Sequence, residues 1–290
     1  MSVVYLNGEY VPASEATIPV GDRGFLFADG IYEVAAAYEG RWLRLDAHVA
    51  RMRAGLQALS IDFDPDALVP VHDELLERNG LSTAPAAIVY VQVTRGVAPR
   101  SHAFPDPAVP PTVYAFAKEY RRPEATRWAR GFRAITVPDP RWARCDIKSI
   151  ALLPNVLAQQ AAVEAGVEDA IFVKDGVAIE GAHNNLFAVV DGTVVTYPKS
   201  NYILPGITRD LVIELAHEVG IPLQERPLRL EELFRADEVF TTGTTTEVRP
   251  LVEVDGRPVG TGAVGPVARR LHEAFCAAVG ALTPSATGAR

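Results

Sequence analysis

Residues 119–130 are crowded with charge and interrupted by Pro123, and the apolar pattern changes character across them. A break of this kind marks a boundary between separately cored domains, where few contacts need to cross. The sequence therefore predicts a smaller N-terminal α+β domain over 1–120, a linker over 121–127 and a larger C-terminal domain over 128–282. The last stretch, 283–290, is small and polar and is expected to be disordered. With 290 residues, 48% of them hydrophobic, the chain can give each part its own core.

In the first part, Val3 to Val11 reads as a hairpin turning at Asn7-Gly8, a dipeptide that accepts positive φ. Ile18 to Leu26 reads as irregular. Gly30 to Tyr38 alternates as a strand, Glu39-Gly40 turns it, and Trp42 to Leu45 follows as a second strand. Asp46 is placed as the N-cap of a helix carrying Val49, Met52, Leu56 and Leu59, and a further helix spans Pro65 to Asn79. Ala86–Thr94 and Thr112–Ala117 are strands, with a Gly- and Pro-marked loop between them. In the second part, strands are predicted at Phe132–Val137, Ala170–Val173, Leu186–Val190, Thr193–Thr196 and Glu238–Thr242. Helices are predicted at Leu157–Ala165, Ile207–Val219 and Val264–Val279. The fold class is α+β, two α/β domains with a cleft between them.

Several function classes fall away. Lys and Arg number 28 against 36 Asp and Glu, a net charge of −8, whereas a general nucleic-acid binder wants a basic face. Two cysteines and six histidines without ligand spacing give no expectation of a metal site. No G-x-S-x-G elbow supports serine hydrolysis. Gly260-Thr261-Gly262-Ala263-Val264-Gly265 satisfies G-x-G-x-x-G, but too little chain follows to complete a dinucleotide-binding unit of about 30 residues. There is no leader pattern and no apolar run of about 20 residues, so a cytoplasmic protein without a membrane span is expected.

Four stretches could carry chemistry. Lys148 stands alone among apolar residues in Asp146-Ile147-Lys148-Ser149-Ile150, and a lysine so placed can serve as a nucleophilic amine. In Leu204-Pro205-Gly206-Ile207-Thr208-Arg209 a turn runs straight into a helix, whose free N–H groups favour a phosphate; a plain helix cap is the alternative. Thr241-Thr242-Gly243-Thr244-Thr245-Thr246-Glu247 offers hydroxyls and a backbone nest to an anion. Glu180, in a stretch read as lying between two strands, would need a cationic or protonated partner if buried. A pyridinium nitrogen is one such partner, and a turn-capping role is the other reading.

Together these residues resemble the class IV, fold type IV, pyridoxal phosphate (PLP)-dependent aminotransferases, collinearly from about Tyr5 to Pro258. That family includes D-amino acid and branched-chain aminotransferases, R-selective amine transaminases and aminodeoxychorismate lyases. The segments Arg23-Gly24-Phe25-Leu26-Phe27-Ala28-Asp29-Gly30-Ile31-Tyr32-Glu33, Lys148-Ser149, Glu180-Gly181 with Asn185-Leu186-Phe187, and Gly206-Ile207-Thr208-Arg209 follow one another in the family's order. The resemblance implies pyridoxal 5′-phosphate as cofactor, lying in the cleft between the domains. It implies Lys148 as the Schiff-base lysine and proton carrier, and Glu180 as the partner of the pyridine nitrogen. Arg51, Gly206, Ile207, Thr208, Thr244 and Thr245 would hold or shape the phosphate site, and Tyr32 would line the substrate side.

Within the family, Arg95-Gly96-Val97-Ala98-Pro99-Arg100-Ser101-His102 resembles the D-amino acid branch, which implies that Arg100 and His102 trap the substrate carboxylate with Tyr32. A planar guanidinium fork suits a carboxylate. The implied activity is ping-pong transfer of an amino group from a D-alanine-like donor to pyruvate or 2-oxoglutarate. A homodimer, with residues of one subunit closing the other's site, is implied too. The alternatives are another class IV activity or a catalytically silent PLP-binding protein. Two features depart from the branch: Ala182, His183 and Asn184 stand where serines are frequent, and Arg249 has no evident place.

Overall fold

The computed structural model describes residues 2–282, so the assignment made for 283–290 lies outside the described residues. Two compact units are present, one built from 2–121 with Ile147–Ala151, the other from Arg122–Asp146 with Leu152–Ala281.

The first unit carries a six-stranded antiparallel sheet in the order Glu9–Pro12, Val3–Leu6, Thr112–Glu119, Ala87–Thr94, Gly30–Tyr38, Arg41–Trp42. The two-residue period of Gly30–Tyr38 sends Ile31 and Ala37 into an apolar core with Leu56, Leu75 and Val89. Each large side chain of this kind contributes about 1.5–3 kcal/mol when fully buried. The alternate positions carry Tyr32, whose ring stacks on Tyr90 across the sheet, and Tyr90 stacks on Phe116. Far along the sequence, Ile147–Ala151 returns to this strand. Tyr32 N–H donates to the Lys148 carbonyl at 3.0 Å and Ile150 N–H to that of Gly30 at 3.1 Å, while Ile147 enters the core.

Local expectations need correction here. Pairing after the Glu39-Gly40 turn stops at Trp42, and the helix Leu45–Ala58 begins with Arg44, at φ 57°, as its N-cap. Asp46 sits in the first turn instead, where its charge still complements the helix dipole. The stretch read as irregular contains a short helix, Arg23–Phe27, capped by Asp22, which accepts from Gly24 N–H at 2.7 Å. Five residues are too few to show a helical period. The helix predicted from Pro65 is a 3₁₀ turn, Pro65–Leu68, leading into an α-helix over Val69–Arg78.

The second unit carries a ten-stranded mixed sheet. Its order is Leu223–Glu225, Thr193–Thr196, Asn185–Val190, Glu238–Gly243, Glu247–Val254, Phe132–Pro138, Asp169–Lys174, Val177–Gly181, Leu228–Arg229, with Arg257–Pro258 beside Glu247–Val254. Five of these strands went unread: Val177–Gly181, Leu223–Glu225, Leu228–Arg229, Glu247–Val254 and Arg257–Pro258. Four are five residues or shorter, and in the fifth Arg249, Pro250 and Glu253 interrupt the apolar alternation. Glu180 and Gly181 therefore belong to a strand and do not lie in a connection. The helices are Leu153–Glu164, Ile207–Glu218 and Pro266–Leu282, with short ones at Ala125–Arg130 and Leu230–Leu233. Glu238 accepts from Val267 and Ala268 N–H at 2.9 and 2.8 Å, so a carboxylate already fills the N-terminus behind the G-x-G-x-x-G match. A Cβ on Gly265 would meet Glu238 Cδ at 2.1 Å, which explains the last glycine there without a nucleotide.

Candidate active site

Lys148 reaches its position through the returning segment. Its Nζ lies 4.1 Å from the centroid of the Tyr32 ring, and among the described residues its ammonium has no carboxylate or hydrogen-bond partner. Beside Tyr32 in sequence, Glu33 points the other way, as strand alternation requires. Its carboxylate accepts from Arg51 Nε at 2.7 Å and Nη2 at 2.9 Å, and lies 2.9 Å from His48 Nδ1. Burial would raise the Glu33 pKa, but Arg51 and His48 hold it well below the usual carboxylate range. Burial also depresses His48, against the pull of Glu33. The fork fixes the direction of the Arg51 guanidinium. Glu33 and His48 were not singled out in the sequence, although an acidic residue in a strand and i, i+3 basic residues on a helix gave a readable signal.

The second unit gathers its polar residues around Glu180, which is 4% exposed. Arg141 donates to Glu180 Oε1, Asn185 Nδ2 to Oε2 at 2.9 Å, and Leu204 N–H to Oε2 at 3.2 Å. Arg141 is itself gripped by Asp139, Nε and Nη2 donating at 2.9 and 2.8 Å. Burial pushes the Glu180 carboxyl up to about 7, against the opposing pull of Arg141 and the Leu204 amide. Such a group can hold or release a proton near neutrality, which suits it to face a nitrogen base. The sequence reading missed Arg141, whose signal was a guanidinium within a Pro-rich passage just ahead of Lys148.

Asn185 also shapes the next turn. Its Nδ2 donates to the Leu204 carbonyl at 2.9 Å, and a Cβ on Gly206 would sit 2.0 Å from its Oδ1. Only glycine fits there. Gly206 is the N-cap of Ile207–Glu218 and no side chain caps that end, while Thr208 is buried in its first turn. Thr242, the cross-strand partner of Asn185, has a buried Oγ1 without a partner among the described residues. Thr244 and Thr245 lie in the turn between Glu238–Gly243 and Glu247–Val254, half-buried.

Arg100 and His102 form a different group. Both are exposed, and both lie against Phe27: the Arg100 guanidinium is 5.1 Å from its ring centroid and the His102 ring 5.5 Å. Of the two departures, Arg249 lies 3.8 Å from Asp169, and Asn184 donates to Asp169 at 2.6 Å. Both side chains meet the same buried carboxylate. His183 is exposed.

The family model for Amino-transferase class IV matches residues 30–254. The chain belongs to the class IV aminotransferases. It is 42% identical over 277 residues to a D-alanine aminotransferase of Staphylococcus haemolyticus, covering 95% of this chain and 97% of that one. Among solved structures it resembles a T.th. branched-chain amino acid aminotransferase with pyridoxamine 5′-phosphate: TM-score 0.88, 31% identity, covering 98% and 95% of the two chains. The structure of that enzyme with N-(5′-phosphopyridoxyl)-L-glutamate matches at TM-score 0.87, 32% identity and the same coverage. This class IV aminotransferase thus has the mixed helix-and-sheet fold of its family. Among its described residues, no helix is long and apolar enough to cross a membrane.

Proposed function

We propose that this aminotransferase uses pyridoxal 5′-phosphate to move the amino group of a D-alanine-like amino acid to a 2-oxo acid such as pyruvate or 2-oxoglutarate. The observation that carries the reading is the 42% identity, over 95% of the chain, to a D-alanine aminotransferase. The residues present fit the cofactor: a lysine amine free of ion pairs among the described residues, a buried carboxyl with its pKa raised to about 7, and an uncapped helix start with Thr208 behind it.

When bound, the cofactor would supply an aldehyde that takes up the amino group and a ring that withdraws electrons from the substrate carbon. Lys148 would hold the aldehyde carbon between turnovers and carry the proton to and from the substrate Cα. Glu180, with Arg141 and Asn185 fixing its two oxygens, would face the pyridine nitrogen. Gly206, Ile207, Thr208, Thr244 and Thr245 would hold the phosphate, with Arg51 adding positive charge in a direction set by Glu33. Tyr32 would line the substrate side, and Arg100 and His102 would take the substrate carboxylate. A homodimer belongs to the same reading. A sedimentation mass of 31.3 kDa, that of one chain, would contradict the dimer.

A second reading is transamination of branched-chain L-amino acids, favoured by the TM-score of 0.88 to an enzyme of that name. Steady-state assays with 2-oxoglutarate separate the two. D-alanine is expected to outperform L-leucine and L-valine in kcat/KM by at least about 100-fold, the discrimination that about 2.7 kcal/mol provides. The reverse order would establish the branched-chain reading.

A further inference from the structure

The loop between Ala87–Thr94 and Thr112–Glu119 carries Arg100 and His102 on a run, 100–104, that is exposed throughout. Exposed loops ordinarily leave such side chains to the solvent. This one is held from beneath by a buried network. Arg23, 3% exposed, donates from Nη1 to the carbonyls of Ser101 at 2.6 Å and Ala103 at 3.3 Å, one on each side of His102. Its Nε donates to Asp29 at 2.8 Å. The same carboxylate receives Arg95 through Nε at 2.8 Å and Nη2 at 3.0 Å. Arg95 is 6% exposed, is anchored to the carbonyls of Leu59 and Ser60, and lies 3.6 Å from the centroid of Phe104. The ring of Phe27 joins the parts, with Arg23 at 4.9 Å, Arg100 at 5.1 Å and His102 at 5.5 Å.

One carboxylate therefore orients two buried guanidinium groups, and each grips the same short run by a different means. Arg23 bonds its backbone and Arg95 stacks on its last ring. An arrangement of this kind costs buried charge and is redundant for a loop that only connects two strands. It is what a loop needs when the places of two side-chain heads must be reproducible, because a displacement of about 1 Å in a positioning group can cost about 100-fold in rate.

We propose that Arg23, Phe27 and Asp29 are positioning residues that set where the Arg100 guanidinium and the His102 ring stand, and so which carboxylate-bearing donors and acceptors are accepted. The proposal rests on the reading of Arg100 and His102 as the groups that take the substrate carboxylate. Arg23 and Asp29 act through the backbone of residues 101–103 and touch no substrate. Phe27 acts as the shared platform for both heads.

Two variants test it in the holoenzyme. Phe27→Leu removes the platform and keeps the buried ion pairs; Arg23→Lys keeps the charge toward Asp29 and loses the second reach to the carbonyls. In both, KM for D-alanine and for pyruvate is expected to rise about 10-fold. kcat is expected to stay within about 2-fold, a split that general loss of structure does not produce. Unaltered KM in both variants, or a fall in kcat as large as the rise in KM, overturns the clamp. Arg100→Ala separates this from failure of the underlying reading. If R100A leaves KM unaltered, the carboxylate role falls and the proposal with it. If R100A raises KM while the Phe27 and Arg23 variants do not, the clamp alone falls.

Discussion

Lys148→Ala is expected to lower transamination at least about 1,000-fold while leaving the melting temperature nearly where it was. Proton transfer by a positioned side chain is worth about 10²–10⁴ in rate, and the role proposed for Lys148 includes holding the cofactor as well. The stability expectation follows from geometry. Among the described residues the Lys148 ammonium has no ion pair or hydrogen bond, and its contact with the Tyr32 ring at 4.1 Å is worth about 0.5–1 kcal/mol. The backbone bonds that tie the segment to the sheet run from Tyr32 N–H to the Lys148 carbonyl and from Ile150 N–H to the Gly30 carbonyl, and alanine keeps both. Lys148→Arg sharpens the comparison, since it keeps a cation over the ring and removes the nucleophilic amine. Steady-state rates and thermal melts of both variants check the claim, and activity within about 10-fold of wild type in either would contradict it.

The largest expected effect on stability belongs to Arg141→Met. Arg141 is paired with Asp139 and Glu180, and the three side chains are only 8%, 4% and 6% exposed. Removing the shared cation leaves two buried carboxylates without their ion-pair partner, a loss of about 3–5 kcal/mol. Urea denaturation without added cofactor should show it as a shifted midpoint. A pH dependence accompanies this. The Glu180 carboxyl, pushed by burial up to about 7, binds its proton more tightly in the native than in the unfolded chain. Its stabilising contribution is present in full below the ordinary glutamate value of about 4.3 and is lost as pH rises through about 7. Glu180→Gln removes that loss, so its stability should decline less than that of wild type between about pH 5 and pH 8. Parallel declines in the two proteins would contradict the placement of this titration.

What could be read from the chain beforehand was mostly local. Asn7-Gly8 turns the first hairpin, Gly30–Tyr38 is paired as a strand along its whole length, and Ile207–Glu218 begins at the glycine expected of it. The chemistry-bearing types were legible too, because a lone lysine among apolar residues and a glycine opening a helix are local signals. The partners that make those residues function were not. Arg141 and Glu180 are 39 residues apart, Arg51 and Glu33 18, and Arg23 and Ser101 78. A pairing over such distances depends on which strands become neighbours, and no period or turn residue encodes that. Asn185 shows the same limit: its amide explains Gly206 by a close approach between residues far apart in the chain, which no count of glycines predicts. The unread strand Glu247–Val254 failed for another reason, since Arg249 pairs with a buried Asp169 and so places a charge where alternation expects an apolar residue.

The proposal for this chain is a transaminase whose carbonyl chemistry runs through Lys148 and whose donors are D-amino acids. It is tested most directly by the visible absorption of the protein reconstituted with pyridoxal 5′-phosphate, recorded before and after stoichiometric D-alanine or L-alanine. A lysine-linked cofactor band is expected that disappears with D-alanine, with pyruvate released in equal amount, and persists with L-alanine. A band bleached by L-alanine and untouched by D-alanine would contradict the donor assignment. The absence of any band would contradict the role of Lys148.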